Sequence, residues 1–163
     1  MSFEQLENLL DKFGKEVEAS RQKNRIKYRS RSQLENQLPE TAGLYWIETD
    51  MPQDILLKEI CRTTEKAKKT RSTNPEGVGF CKIKSGFQIV YSGTQANIRK
   101  RLLEHLFNEG NKDTAKLGCE LEKGEFSKYS WFISFYELND TTIRYAVESW
   151  WRVNVGWPPF CIR

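Results

Sequence analysis

The sequence predicts a small α/β domain of the α+β kind, with a mostly antiparallel sheet of three or four strands flanked by helices. Three observations carry that reading. Apolar residues recur at helical spacing in four separated stretches, and runs rich in aromatic and β-branched residues lie between them. Two of those runs, Val78 to Lys84 and Phe87 to Tyr91, are separated only by Ser85-Gly86, the length of a hairpin turn.

Taken in order, Phe3, Leu6, Leu10, Phe13 and Val17 recur at spacings of 3 and 4, so a helix capped by Ser2 is predicted to run to about Arg21. Its apolar seam suits packing on the domain's own flank or against the same helix of a second copy, as in a homodimer. A basic segment follows, and Leu34 to Pro39 reads as a connection to Gly43-Leu44-Tyr45-Trp46-Ile47-Glu48, a strand. Asp50 and Pro52 end it, and Gln53 to about Lys69 reads as a second amphipathic helix with a basic outer side. The loop from Thr70 to Gly77 breaks that helix ahead of the hairpin. Helices are predicted from Thr94 to Asn108 and, weakly, from Lys112 to Leu117. In the first, Ile98, Leu102, Leu103 and Leu106 face the core, with Arg101 and His105 on the rim. Tyr129 to Leu138 is the strongest strand. Asp140 then caps a helix to about Val155, with Ile143, Ala146, Val147 and Trp150 as its apolar stripe. No repeat or low-complexity tract interrupts the chain. Residues 1–40 form an N-terminal helix and basic arm, and residues 41–163 form the domain.

No apolar run approaches the roughly 20 residues that span a bilayer, and the N-terminal stretch lacks the pattern of a secretory signal. The expectation is an intracellular, cytoplasmic protein without membrane contact. Cys61, Cys81, Cys119 and Cys161 are scattered with no C-x-x-C pair, and His105 is the single histidine, so a structural zinc site is not expected. The net charge is +4, yet Arg21, Lys23, Arg25, Lys27, Arg29 and Arg31 alone contribute +6 with no acid among them, leaving the rest at −2 (4 minus 6). Such a block reads either as a phosphate-neutralising arm or as a solvated linker.

The chain has no Walker A loop, dinucleotide fingerprint, paired histidines or nucleophile elbow. What remains is Tyr45, Tyr91, Arg101, His105 and Glu148 at strand ends and helix rims, residue types that suit phosphodiester hydrolysis. Arg101 and His105, four apart, share a helix face near the start of their helix, a place for a phosphate. Each residue also has a plainer reading: Tyr45 and Tyr91 as core aromatics of strands, Glu148 with Arg152 as an i,i+4 helix pair.

Gly43-Leu44-Tyr45, then Tyr91-Ser92-Gly93, an arginine ten residues further on (Arg101) and a late helix with Glu148 together resemble the GIY-YIG nuclease family over roughly Gly43 to Cys161. His105 resembles the restriction-endonuclease branch. The resemblance implies a DNA-cleaving enzyme acting on double-stranded DNA with one divalent cation, Mg2+ or Mn2+, on Glu148. It also implies Arg101 at the scissile phosphate, Tyr45 as general base or relay, Tyr91 positioning the water, and His105 assisting proton transfer or holding the phosphate. Duplex contacts are expected from Arg21, Lys23, Arg25, Lys27, Arg29 and Arg31, and from Arg62, Lys66 and Lys69 in an insertion at about 50–84. Alternatives are a non-catalytic nucleic-acid-binding domain of the same fold and a repair or mobile-element nuclease. The chain departs from the pattern at Leu44, at Ser92, in the separation of 46 positions between the tyrosines (91 minus 45), and in the closing segment Pro158-Pro159-Phe160-Cys161, where the family often carries an asparagine that Asn154 does not match in spacing.

Overall fold

One strand explains the architecture. In the computed structural model, which describes residues 1–63, 74–112 and 114–161, Gly43–Thr49 (β2) is buried at every position but Glu48. Successive side chains of a strand point to opposite faces, and here both faces are apolar: Tyr45 and Ile47 join one core, Leu44 and Trp46 another. A strand with no polar face needs cover on both sides.

The sheet has four strands in the order β1-β4-β2-β3, formed by Ile26–Lys27 (β1), β2, Gln88–Gln95 (β3) and Trp131–Glu137 (β4), and every pairing is antiparallel. The helices Phe3–Lys23 (α1) and Thr141–Asn154 (α5) cover the Leu44 and Trp46 face, where Val17, Val147 and Trp151 are buried. The two helices approach so closely that a Cβ on Gly14 would collide with the Trp150 ring. The Tyr45 and Ile47 face is covered by Arg31–Gln37 (α2), Gln53–Thr63 (α3), Ile98–Phe107 (α4) and a 3-10 helix, Gly124–Lys128. Local sequence sets the helix starts. Ser2 forms a capping box with Gln5, and Ser30, Asn97 and Asp140 each accept a backbone N–H from the first turn of their helices.

The pairing of β2 with β3 slips once. Ile47 lies opposite Tyr91 and Glu48 opposite Ile89, so Val90 is the extra residue of a bulge. On the other side of the slip the regular register, Tyr45 with Gly93 and Ile47 with Tyr91, sets Tyr91 and Gly93 on the same face as Tyr45.

Several predicted elements differ. The turn at Ser85-Gly86 exists, with both residues at positive φ (52° and 83°) as the tightest hairpin turn requires, but the run Val78–Lys84 is not a strand. It makes only isolated bridges, Lys84 with Phe87 and Phe80 with Trp157. The following strand spans Gln88–Gln95 instead of Phe87 to Tyr91, so the helix begins at Ile98, capped by Asn97, rather than at Thr94. Leu34 to Pro39, read as a connection, contains most of α2, and Lys112 and residues 114–117 are not helical. The second predicted helix is seen from Gln53 to Thr63, and its extension to Lys69 lies outside the described residues. On α5 the buried set is Arg144, Val147 and Trp151, while Ile143 is 44% exposed. The basic segment joins the sheet through β1. All four cysteines are free thiols. No helix among the described residues is long and apolar enough to cross a membrane.

Candidate functional site

The site lies where β2, β3 and α4 meet. Tyr45 on β2 and Tyr91 on β3 point into the same core with ring planes 15° apart and centroids 6.4 Å apart. His105 lies against both, at 5.6 Å from Tyr45 and 4.4 Å from Tyr91. Gly93, opposite Tyr45, is necessary because a Cβ there would collide with the Tyr45 hydroxyl.

His105 is fully buried, not on the helix rim. Its helix position follows Leu102 by three residues and so shares the apolar arc, and both ring nitrogens find partners there. The Leu117 backbone N–H donates to Nδ1 at 2.8 Å, and Nε2 lies 3.0 Å from the Tyr45 hydroxyl oxygen. A nitrogen that accepts carries no proton, so the neutral ring holds its hydrogen on Nε2 and donates it to Tyr45. Burial drives the His105 pKa well below the ordinary histidine value, and the charges of Arg101 and Lys116 push it the same way.

Arg101 is half-buried. Its guanidinium donates to Glu104 at 2.7 Å and to the Ala115 carbonyl, and it lines a cleft of about 290 Å3 with Gln95, Asn97, Lys100 and Thr114 at the start of α4. Burial opposes its charge, yet Glu104 and the two tyrosines together raise its pKa. Burial pushes the Tyr45 phenol well above its ordinary value, with Tyr91 and Glu148 adding to the rise, while Arg101 opposes it through charge and hydrogen bonding. Tyr91 is likewise raised by burial, and then by Cys161, against Arg101 and Arg152.

Glu148 arrives from the other side of the sheet, around the edge strand β3. Its Oε1 accepts from Arg152 Nη2 at 2.8 Å, the i,i+4 pair that spacing alone allows. Arg152 in turn donates to the Ser92 hydroxyl (3.0 Å) and carbonyl (2.8 Å), contacts Cys161 Sγ at 3.5 Å and stacks over Trp157. Burial raises the Glu148 pKa against the pull of Arg152. Among the described residues Glu148 Oε2 takes no hydrogen bond, and no three metal-binding side chains cluster.

Of the five predicted residues, Tyr45, Tyr91 and His105 are in ring contact, and the charges of Arg101 and Glu148 act on both phenols, while Glu148 itself bonds to Arg152. Sequence reasoning missed the Arg152, Ser92 and Cys161 cluster. Ser92, one of the departures from the GIY-YIG pattern, touches Cys161 of another, the closing segment Pro158 to Cys161: the Ser92 N–H donates to Cys161 Sγ at 3.1 Å, and the thiol donates to the Ser92 carbonyl at 3.2 Å. Only the i,i+4 spacing of Glu148 and Arg152 foreshadows this.

The basic residues are less uniform than their spacing implies. Arg21 is buried against Glu18, Arg25 is bidentate to Glu48 and lies 3.9 Å over the Phe132 ring, Arg31 pairs with Glu35 and Glu109, and Arg62 pairs with Glu59. The side chains of Lys23, Lys27 and Arg29 have no acidic partner among the described residues. Lys66 and Lys69 lie outside the described residues. Only Ile26–Lys27 lies at the sheet edge opposite β3; Arg21 and Arg25 approach Phe87 and Ile89 at the start of β3, and Arg31 lies over Phe107 of α4. Compared with known proteins, the chain matches no family model, no curated protein and no solved structure.

Proposed function

We propose that this chain is a metal-dependent DNA endonuclease of the GIY-YIG type, acting on duplex DNA in the manner of a restriction enzyme. The observation that supports it most is the hydrogen bond at the Tyr45 oxygen: Tyr45 accepts from His105 Nε2–H at 3.0 Å, and the nearby Arg101 charge pulls its pKa down. That donor and the Arg101 charge favour the phenolate, the state a tyrosine needs in order to take a proton from water, against the burial that raises its pKa.

In this reading Tyr45 receives the proton of the attacking water on its oxygen. His105, held neutral, orients that oxygen and stabilises its negative charge but takes no proton itself. Arg101 forks onto phosphate oxygens in the cleft at the start of α4, where Lys100 adds charge. Tyr91 stacks on the Tyr45 ring and, with His105 packed against both, fixes that ring and excludes bulk water. Glu148, with Oε2 open, suits a single Mg2+ or Mn2+, a cation that keeps most of its waters and takes further ligands from the phosphate. When bound, the cation supplies Lewis-acid stabilisation of charge at the phosphate and favours the phenolate nearby.

A second reading, a non-catalytic nucleic-acid-binding domain, is favoured by the burial of Tyr45 and His105 and by Arg101 already being satisfied by Glu104 and Ala115. Incubating supercoiled plasmid with the protein and Mg2+ separates the two. Nicked or linear product that disappears with EDTA is the expected result; intact plasmid across varied DNA substrates leaves the binding domain as the answer.

A further inference from the structure

We propose that the cleft of about 420 Å3 between the C-terminal ends of α1 and α5 and the start of β3 is a separate phosphate site that takes a nucleotide unit. It lies on the α1 and α5 face of the sheet, whereas the tyrosines lie on the other.

The charge inside it is arranged. Arg21 is 5% exposed, and Glu18 takes only its Nε (2.7 Å) and Nη2 (2.6 Å). Nη1 has no partner among the described residues, and Arg21 lines the cleft. Glu18 is also held by the Trp151 indole N–H at 2.5 Å, so it is committed to its place beside the guanidinium. The other carboxylate of the lining, Glu48, is committed in the same way by both arms of Arg25, at 2.9 and 3.0 Å. Each acid is thus cancelled by its own arginine. Lys82 and Lys84, exposed and without ion pairs among the described residues, leave a net positive rim. Phe87 and Ile89 supply an apolar wall beside it. A guanidinium edge, two ammonium groups and a flat apolar wall match a phosphate joined to a nucleobase, and the volume lies in the range of small-ligand sites. That chemistry is shared by a free mononucleotide and by one nucleotide of a strand. The site does not depend on whether the chain cleaves DNA.

The Trp151 indole N–H, bonded to Glu18 beside Arg21, is the reporter. Its NMR signal, assigned by comparison with Trp151→Phe, is followed in the full chain during titration with inorganic phosphate, AMP and a short single-stranded oligonucleotide. The expected result is a saturable shift, with AMP or the oligonucleotide binding more tightly than phosphate. The tighter of the two identifies the source. Lys82→Gln/Lys84→Gln is expected to weaken binding roughly tenfold or more, as removal of a charge-assisted hydrogen bond to phosphate does. Lys12→Gln/Lys58→Gln, which removes two exposed lysines elsewhere, and Glu148→Gln are expected to leave it unchanged. An indole signal that none of the three ligands moves overturns the proposal, as does binding equal in the Lys82/Lys84 double variant. Phosphate binding that neither a base nor a strand improves overturns the nucleotide assignment.

Discussion

The Tyr45 hydroxyl and His105 Nε2 lie 3.0 Å apart, and the Leu117 N–H, 2.8 Å from Nδ1, determines which of them donates. Protonating His105 would turn Nδ1 toward Leu117 as a second donor and break that hydrogen bond. The folded state therefore holds the ring neutral, with its pKa lowered chiefly by burial. An unfolded histidine titrates near 6.5, so below that pH the unfolded chain binds a proton the folded chain refuses, and stability falls as pH falls. For this group alone the loss between pH 7.5 and 5.5 is on the order of 1 kcal/mol. Glu148 works in the opposite sense, because burial raises its carboxyl and the stability it contributes is lost as pH rises through that value. Urea midpoints measured at both pH values in wild type and His105→Gln isolate the histidine's contribution. A variant as pH-sensitive as wild type over this interval would refute the neutral ring.

The same geometry separates the hydroxyl of Tyr45 from its ring. Tyr45→Phe keeps the stack on Tyr91 and leaves His105 Nε2–H without its acceptor, a cost of about 1–3 kcal/mol in stability. Nuclease activity should fall far more, by roughly 100-fold or beyond, because the proton acceptor is gone. Tyr91→Phe, which keeps the ring that packs on His105, should retain most of its activity. Equal rates for Tyr45→Phe and wild type would remove Tyr45 from the chemistry.

Glu148→Gln preserves an oxygen for Arg152 while removing the charge that would hold a cation. The variant should melt within a few degrees of wild type, since a neutral acceptor keeps one arm of an arginine already bonded to Ser92 at two points. Mg2+-dependent cleavage should vanish, and titration calorimetry with Mn2+ should show no binding. Cleavage at the wild-type rate with an unchanged metal dependence would place the cation elsewhere.

What is legible in the sequence is whatever a periodic pattern or a cap encodes. The second half of the α1 seam (Leu10, Phe13 and Val17), the Asp140 cap and the apolar run of β4 are readable because local preference and tertiary environment agree there, whereas Phe3 and Leu6 of the same seam are exposed. His105 reads as a rim residue because a polar ring is normally kept near water, and only the Leu117 and Tyr45 hydrogen bonds, 12 and 60 residues away in sequence, allow it inside. Arg144 displaces Ile143 from the buried arc of α5 for a similar reason. Its guanidinium donates to the Gln95 carbonyl and the Thr141 hydroxyl, which no helical wheel reveals. Two residues of strand inside a basic block, Ile26 and Lys27, are too short to leave a period, so β1 is hidden by its charge. The five site residues are visible as types in an order, while the Ser92 to Cys161 pairing that holds Arg152 spans 69 residues and leaves no local trace.

The basic segment gives the last prediction. Its six cations do not act alike, since Arg21, Arg25 and Arg31 are already paired with Glu18, Glu48 and with Glu35 and Glu109. An arginine bound to a carboxylate releases no counterion from DNA unless that pair is broken first. Lys23, Lys27 and Arg29 are therefore the members with uncompensated charge for duplex phosphates, whereas Arg21 offers only its Nη1 edge inside the cleft between α1 and α5. Replacing Lys27 and Arg29 with glutamine should reduce the slope of log K against log salt by about 1 for each phosphate interaction removed, with little change in thermal stability. Arg25→Gln should do the reverse, lowering stability by about 1–3 kcal/mol as Glu48 loses both hydrogen bonds and Phe132 its stacked guanidinium, while the salt slope stays near wild type. Fluorescence anisotropy with a labelled duplex across a salt series, alongside thermal melts, measures both quantities. A salt slope that responds to Arg25 as strongly as to Lys27 and Arg29 would show that the Glu48 pair opens on DNA and that the whole segment grips the duplex.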